Sequence, residues 1–412
     1  MPDKKVLVFV EIEKENHFVG TLWSHFARGK ETSDFEYSPE WLQNKNAFSL
    51  EPGLYLGAGK QVNPRQVPLF GSFGDSTPDT WGRILMRRYE NVLAKKENRP
   101  PRALNEIDYL LLVNDVARQG ALRFKAEENG EFLYPSEIKS IPPLVDAKKL
   151  LNASEKILAS EEKDSDLQLL LAPGSSLGGA RPKASVIGKD GDLCIAKFPQ
   201  KDDYTNNVAW EAVALALAKK CGLHTQEWTL QRAGEKQILI VKRFDRVKEQ
   251  RIPFLSAMSM LNAVDNDSVT HSYLDIADTI RQFCASPKED LPELWKRIVF
   301  SILISNTDDH LRNHGFLYVG QKGWKLSPLY DVNPSNDNKN ALSTYITEND
   351  NTQSLNLALE VCEYFEMSTQ DAKSSIQEMK NIVKSWRAVA REFGLQAQEI
   401  SKMESAFRFC ER

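Results

Sequence analysis

The chain has 412 residues, 41% of them hydrophobic and 27% charged, enough for two or three domains and a sizeable core. A formal charge of −4 argues against bulk binding to nucleic acid or to an acidic membrane. No apolar run approaches the ~18 residues of a membrane span, and five scattered cysteines without a Cys-x-x-Cys pair argue against a disulfide framework and a zinc site. The expected compartment is the cytoplasm, with no membrane partner.

Residues 1–105 are expected to form a small β-rich N-terminal domain. Positions 6–12 and 17–23 alternate as an antiparallel pair about a turn at 13–16. Tyr37-Ser-Pro-Glu-Trp41 reads as an extended piece entering a helical turn, and 48–50 and 53–57 are further strand candidates. Pro78-Asp-Thr-Trp81-Gly-Arg83 leads into a helix through Tyr89, with Trp81 and Leu85 facing a core.

Asn98-Arg-Pro-Pro-Arg102 marks a boundary, and a connecting segment at 106–145 carries a helix over 106–113 and a strand over 120–124. Ile141-Pro-Pro143 closes it. Residues 146–244 are expected to form a small lobe that opens with a pair of helices across 146–171. A Gly-rich loop then runs Ser175-Ser176-Leu-Gly178-Gly179-Ala180-Arg181-Pro182-Lys183. Adjacent glycines let backbone N–H groups form an anion nest, and Lys183 adds a point charge. A Gly/Ser hinge is the plainer reading of the same residues, and no Walker pattern is present.

Leu193-Cys-Ile-Ala-Lys197 is an alternating strand with one lysine among apolar residues. The periodic helix that follows, 207–221, carries Glu211 at a spacing that suits a strand–turn–helix unit. Lys197 on such a strand is either solvent-facing or paired with that glutamate. Residues 237–242 form a buried strand with a polar exit at Lys242-Arg243-Phe244. From 245 to 412 the composition turns helical, over 273–283, 291–305, 355–365, 369–393 and 397–407.

Inside that helical part lies Ser305-Asn-Thr-Asp308-Asp-His310-Leu-Arg-Asn313-His-Gly-Phe316, followed by a strand hairpin and Leu329-Tyr330-Asp331. Asp-x-x-x-x-Asn alone is expected about once by chance in a chain this long. Its place after an apolar helix and before a lone Asp gives it weight, because protein kinases order their base and metal ligands this way.

With these pieces in order the chain resembles the HipA family, the kinase toxins of bacterial toxin–antitoxin pairs. The resemblance rests on Pro78–Arg83, Ser176–Lys183, Ile195-Ala-Lys-Phe-Pro199, Lys242-Arg-Phe-Asp-Arg246, Thr307–Asn313 and Leu326-Ser-Pro-Leu-Tyr-Asp331. It implies an α+β, two-lobed protein-kinase-like fold: a mixed small lobe, an all-helical large lobe and the β-rich N-terminal domain. It also implies Asp308 as base, and Asn313 and Asp331 as Mg²⁺ ligands. ATP would be held by Gly178, Gly179, Ala180, Arg181, Pro182, Lys183, Lys197, Glu211, the hinge Lys242, Arg243 and Phe244, His310 and Tyr330. Ser176 matches the autophosphorylated serine, with Ser175 beside it left open. Lys242 departs from the acidic residue frequent in relatives. Implied partners are a protein target in translation, of the aminoacyl-tRNA synthetase class, and a HipB-like helix-turn-helix antitoxin with operator DNA reached through it. Two rivals remain: a small-molecule kinase on a related scaffold and a catalytically silent co-repressor. Late basic residues (Lys380, Lys384, Arg387, Arg391) read as a solvated helix face or a DNA contact.

Overall fold

In Lys4–Ile12 (β1) the side chains of Val6, Val8 and Val10 share one buried face, and the strand pairs antiparallel with Glu15–Ala27 (β2). Glu13 and Lys14 turn the chain at φ of 52° and 70°, the left-handed geometry that suits the twist of a two-residue hairpin. The computed structural model describes residues 3–63, 65, 67–133, 141–174, 179–200, 203–265 and 269–411.

The first sheet has the order β4-β3-β2-β1-β5, with β3 at Lys30–Tyr37, β4 at Lys60–Val62 and β5 at Leu122–Lys125. Thus β5, from the connecting stretch, closes the sheet beside β1. β3 escapes a periodicity reading because Lys-Glu-Thr-Ser-Asp-Phe-Glu-Tyr holds few apolar residues. The strands expected at 48–50 and 53–57 are loop instead. Their backbone is satisfied by a side chain: the Tyr37 hydroxyl donates to Leu54 O (3.1 Å) and accepts from Leu50 N (2.9 Å).

Thr80–Lys96 is a helix capped by Asp79, and it packs Trp81 and Leu85 into a core shared with Ala147–Ala159 and Asp164–Gly174. The other face of that core is a second sheet, β6 (Lys183–Ile187), β7 (Leu193–Lys197), β8 (Trp228–Ala233) and β9 (Lys236–Lys242), in the order β6-β7-β9-β8. Helix Asn207–Lys220 lies against β9 and stops at Gly222, whose φ of 76° a side chain would strain.

Beyond residue 245 the helices Tyr273–Phe283, Pro287–Leu303, Leu355–Glu360, Thr369–Val383, Trp386–Glu392 and Ala397–Lys402 build the large lobe. The long helix expected at 369–393 is interrupted around Lys384 and Ser385. A three-stranded sheet, Phe254–Ser256, Gly315–Tyr318 and Trp324–Leu326, sits among these helices and holds the downstream end of the polar loop at 305–313. Among the described residues no helix is long and apolar enough to cross a membrane.

Residues 243–251, where β9 leaves for the large lobe, enter a buried charge network. Asp245 accepts from Arg243, from Arg246 (2.9 Å) and from Gly120 N (2.7 Å). Arg251 and Arg123 share Asp115 (2.9 and 2.6 Å). Arg118 donates to Leu110 O and Val113 O (2.9 and 3.0 Å). The join between the lobes is thereby tied to the N-terminal sheet.

Candidate functional site

Helix Pro287–Leu303 delivers the chain to Ser305, where a φ of 50° turns it out of the helical path. The next two acids then diverge. Asp309 is buried, accepting from Tyr273 (2.5 Å) and Ser301 (3.0 Å) and facing His314 Nε2 at 3.2 Å. Burial opposes its charge, but His314, Tyr273 and Ser301 together hold its pKa below the ordinary value. Asp308 is exposed, and its carbonyl receives both His310 N and Asn313 Nδ2 at 3.0 Å. Asn313 therefore spends its amide nitrogen on the loop and keeps its oxygen for another partner.

Asp331 is held at a φ of 54°. Leu329 N donates to His224 O at 2.8 Å, and the Tyr330 hydroxyl donates to Arg312 O at 2.6 Å, so the segment is bound to the polar loop. Lys197 Nζ lies 3.0 Å from Asp331 Oδ1 and also donates to Glu211. Burial opposes the charge on Lys197, yet Asp331 and then Glu211 raise its pKa. Asp331 is pushed well below the carboxylate range, first by Lys197, with Lys183 and His310 adding to it. Burial raises Glu211, and Lys197 opposes that.

Glu211 is placed by packing. Its neighbour Trp210 meets Trp386 and Phe407, and those two rings stack at 4.2 Å. Buried aromatic pairs of this kind contribute about 0.5–1.5 kcal/mol each beyond their area. Asn206 caps the helix and donates to Gln237 Oε1 at 2.7 Å. Helix Asn207–Lys220 thus reaches both lobes.

Lys183 and Lys197 face each other across β6 and β7. Two ammonium groups side by side repel unless anions lie between or beside them. Burial lowers the pKa of Lys183, against the pull of Asp331. Gly179 has a φ of 87°, and a Cβ there would come within 2.6 Å of Lys183 Nζ. Arg181 pairs with Asp203 at 2.6 Å, Pro182 O accepts from Phe198 N at 3.0 Å, and Ala180 is exposed. Ser175, Ser176 and Gly178 lie outside the described residues.

The expected hinge residues face different ways. The Lys242 ammonium pairs with Asp192 at 2.7 Å, Arg243 turns into the buried network around Asp245, and the Phe244 ring lies tilted against Tyr330 with ring centres 5.3 Å apart. The site also uses residues to which the sequence reading gave no site role. Asp79 and Trp81 grip the Gly-rich loop, and Asp75 approaches Arg312 to 3.8 Å. Their sequence signal was the run around Pro78, read there as a helix start.

The donor set suits a nucleotide with Mg²⁺. Among the described residues no group of three His, Cys, Asp or Glu stands ready to hold a metal by itself. An amide oxygen, as at Asn313, and a carboxylate, as at Asp331, are donors of the kind that Mg²⁺ takes together with phosphates and water.

A mixed small lobe and a helical large lobe, with one ion-pair cluster drawn from both, define a two-lobed kinase-like fold. A family model described as the HipA-like C-terminal domain matches residues 175–386, just over half of the chain. The chain belongs to the HipA family. It is similar to the "Putative kinase Y4mE" of Sinorhizobium fredii, 27% identical over an alignment of 334 positions that covers 72% of this chain and 71% of that protein. A "Putative kinase" of Haemophilus influenzae is 29% identical over an alignment of 181 positions that covers 38% of this chain and 52% of that relative. Among solved structures the chain is similar to one of HipA from the Shewanella oneidensis toxin–antitoxin system, in complex with HipB and operator DNA. The TM-score is 0.67 at 16% identity, covering 99% of this chain and 97% of that one. At that identity the likeness speaks for the fold.

Proposed function

We propose that the protein is an ATP- and Mg²⁺-dependent protein serine/threonine kinase of the toxin type. The observation that carries this reading is Lys197, bound at once to Glu211 of a helix and to Asp331 beside the polar loop. An ammonium has three donors. Glu211 and Asp331 engage two, and the third is left for the α- and β-phosphates of ATP, with Lys183 across the strand pair. Asn313 and Asp331 hold Mg²⁺, which supplies neutralisation of the phosphate charge. Asp308, exposed at the head of its loop, takes the proton of the attacking hydroxyl. The new O–P bond forms as the bond from the γ-phosphorus to the ADP oxygen breaks, and little else is asked of the protein.

Autophosphorylation falls on Ser176, or on Ser175 beside it, and the foreign target is a protein of translation in the aminoacyl-tRNA synthetase class. Both come from the family resemblance. The structural relative crystallised with HipB and operator DNA supports a helix-turn-helix antitoxin as partner, with DNA reached through it. Arg387 already pairs with Glu404 and Glu411, in keeping with a solvated helix face. The site is expected to lie in the cytoplasm, where ATP is supplied.

Incubation of the purified chain with Mg-ATP, followed by intact-mass measurement and peptide mapping, tests this reading. One added phosphate on Ser176 or Ser175 is the expected result. A chain that turned over no ATP would point to the silent co-repressor, and one that phosphorylated a small alcohol but no protein would point to the small-molecule kinase.

A further inference from the structure

The run from Asp75 to Trp81 belongs to the N-terminal part of the chain, yet it touches both halves of the proposed site. Asp79 Oδ2 accepts the N–H of Gly179 at 2.7 Å, while its Oδ1 caps its own helix through Thr80 N, also at 2.7 Å. Trp81 adds two bonds: its backbone N–H donates to Gly179 O (3.3 Å), and its indole donates to Lys183 O (2.9 Å). At Gly174 a Cβ would fall 2.7 Å from Leu85 Cδ1 and 3.2 Å from the Trp81 indole nitrogen. The start of one helix therefore fixes Gly179 and Lys183, the described end of the Gly-rich loop, and lies against Gly174.

Asp75, four residues earlier, serves the other half. Its side chain is enclosed, and its carboxylate accepts Ser256 N (2.7 Å) and Ser256 Oγ (2.8 Å) at the end of the strand that pairs with Gly315–Tyr318. Arg312 approaches it to 3.8 Å and pairs with Asp265 at 2.8 Å. Arg312 lies between Asp308 and Asn313, and its carbonyl receives the Tyr330 hydroxyl. A displacement of Arg312 would be passed to the base, to the Asn ligand and to the Asp331 turn together.

We propose that Asp79 and Asp75 are positioning residues with separable tasks: Asp79 sets the phosphate-binding loop, and Asp75 sets the loop that carries the base. The inference rests on the kinase reading of the site and deepens it. Asp79 acts before chemistry, by holding Gly179 and Lys183 where phosphates are to be received. Asp75 acts on the chemical step, by holding Arg312 and the loop around it.

The experiment compares Asp79→Ala, Asp79→Asn and Asp75→Asn with the wild-type full-length chain, measuring Mg-ATP affinity by calorimetry and steady-state KM and kcat. Circular dichroism first establishes that each variant is folded. Losing a charge-assisted hydrogen bond predicts that Asp79→Ala weakens Mg-ATP binding and raises KM about tenfold or more, with kcat within about twofold. Asp79→Asn should recover most of that affinity, because an amide oxygen can still accept the Gly179 N–H. Asp75→Asn should lower kcat about tenfold while leaving KM within about twofold. Wild-type affinity in a folded Asp79→Ala would overturn the inference, as would an Asp79→Asn no better than the Ala variant. Parallel losses in KM and kcat for both positions would also overturn it, since general loosening would produce them. If the wild-type chain itself bound no Mg-ATP, the kinase reading would fall and take the inference with it.

Discussion

At the scale of single residues, Asp308 and Asp309 differ because their surroundings differ. Asp309 is buried among Tyr273, Ser301 and His314 and serves as the root of its loop, whereas Asp308 stays exposed. Asp308→Asn keeps the shape and removes the proposed proton acceptor, so phosphorylation should fall by about 10²–10⁴-fold, the usual worth of a general base. Mg-ATP binding measured by calorimetry should survive that change. Asp331→Asn should differ in kind. Its carboxylate lies in the field of Lys197, Lys183 and His310, and if it is the metal ligand proposed above, its loss should remove Mg²⁺-dependent nucleotide affinity together with turnover. Unchanged Mg-ATP affinity in Asp331→Asn would take that residue out of the metal site.

At the scale of elements, the stretch 48–57 and the helix Gly71–Gly74 show how loop is held without a ladder. Glu51 is 2% exposed and accepts Ser72 N at 2.5 Å. Burial raises its pKa to about 7, against the pull of Ser72, and the nearby Asp75 charge adds to the rise. The sign follows from linkage. The folded chain binds this proton more tightly than the unfolded one, whose carboxyl titrates near 4.5. The stabilising contribution is complete below that value and is lost as pH rises through about 7. Glu51→Gln keeps an oxygen for Ser72 N and cannot ionise. By the worth of a pKa unit it should be more stable than wild type by about 1–3 kcal/mol at pH 8.5. The advantage should shrink steadily as the pH is lowered. Thermal melts of both chains across that range measure it, and a gap independent of pH would show that Glu51 is not the titrating group.

At the scale of the whole molecule, the network around Asp245 joins the N-terminal sheet to the passage between lobes. Arg243 and Arg246 both depend on that one carboxylate and on carbonyls of residues 117–120. Asp245→Asn leaves two buried guanidinium groups short of a counter-charge, a change that costs about 3–5 kcal/mol in buried pairs. The urea midpoint should fall accordingly, whereas breaking the solvent-screened Lys242–Asp192 pair by Lys242→Ala should scarcely move it. Equal midpoints for wild type and Asp245→Asn would mean that the network adds nothing to the fold.

The two-lobed kinase-like fold was legible in the sequence through the family resemblance, and the pieces that carry it are local. The strand with Lys197, the helix with Glu211 and its stop at Gly222, and the loop from Asp308 to Asn313 each follow from periodicity, capping and spacing within a short window. Tertiary structure decided the rest. Polar β3 became a strand through its pairing with β2, and the expected strands at 48–50 and 53–57 gave way once Tyr37 met their backbone groups. The direction of Arg243 was set by a buried carboxylate and by carbonyls far away in the chain. The contact of Asp79 with Gly179 spans 100 positions. Each neighbourhood carries a motif, but nothing in either one says that the two meet. The contact exists because folding brings a helix start and a glycine loop to the same place, and only the folded chain records that.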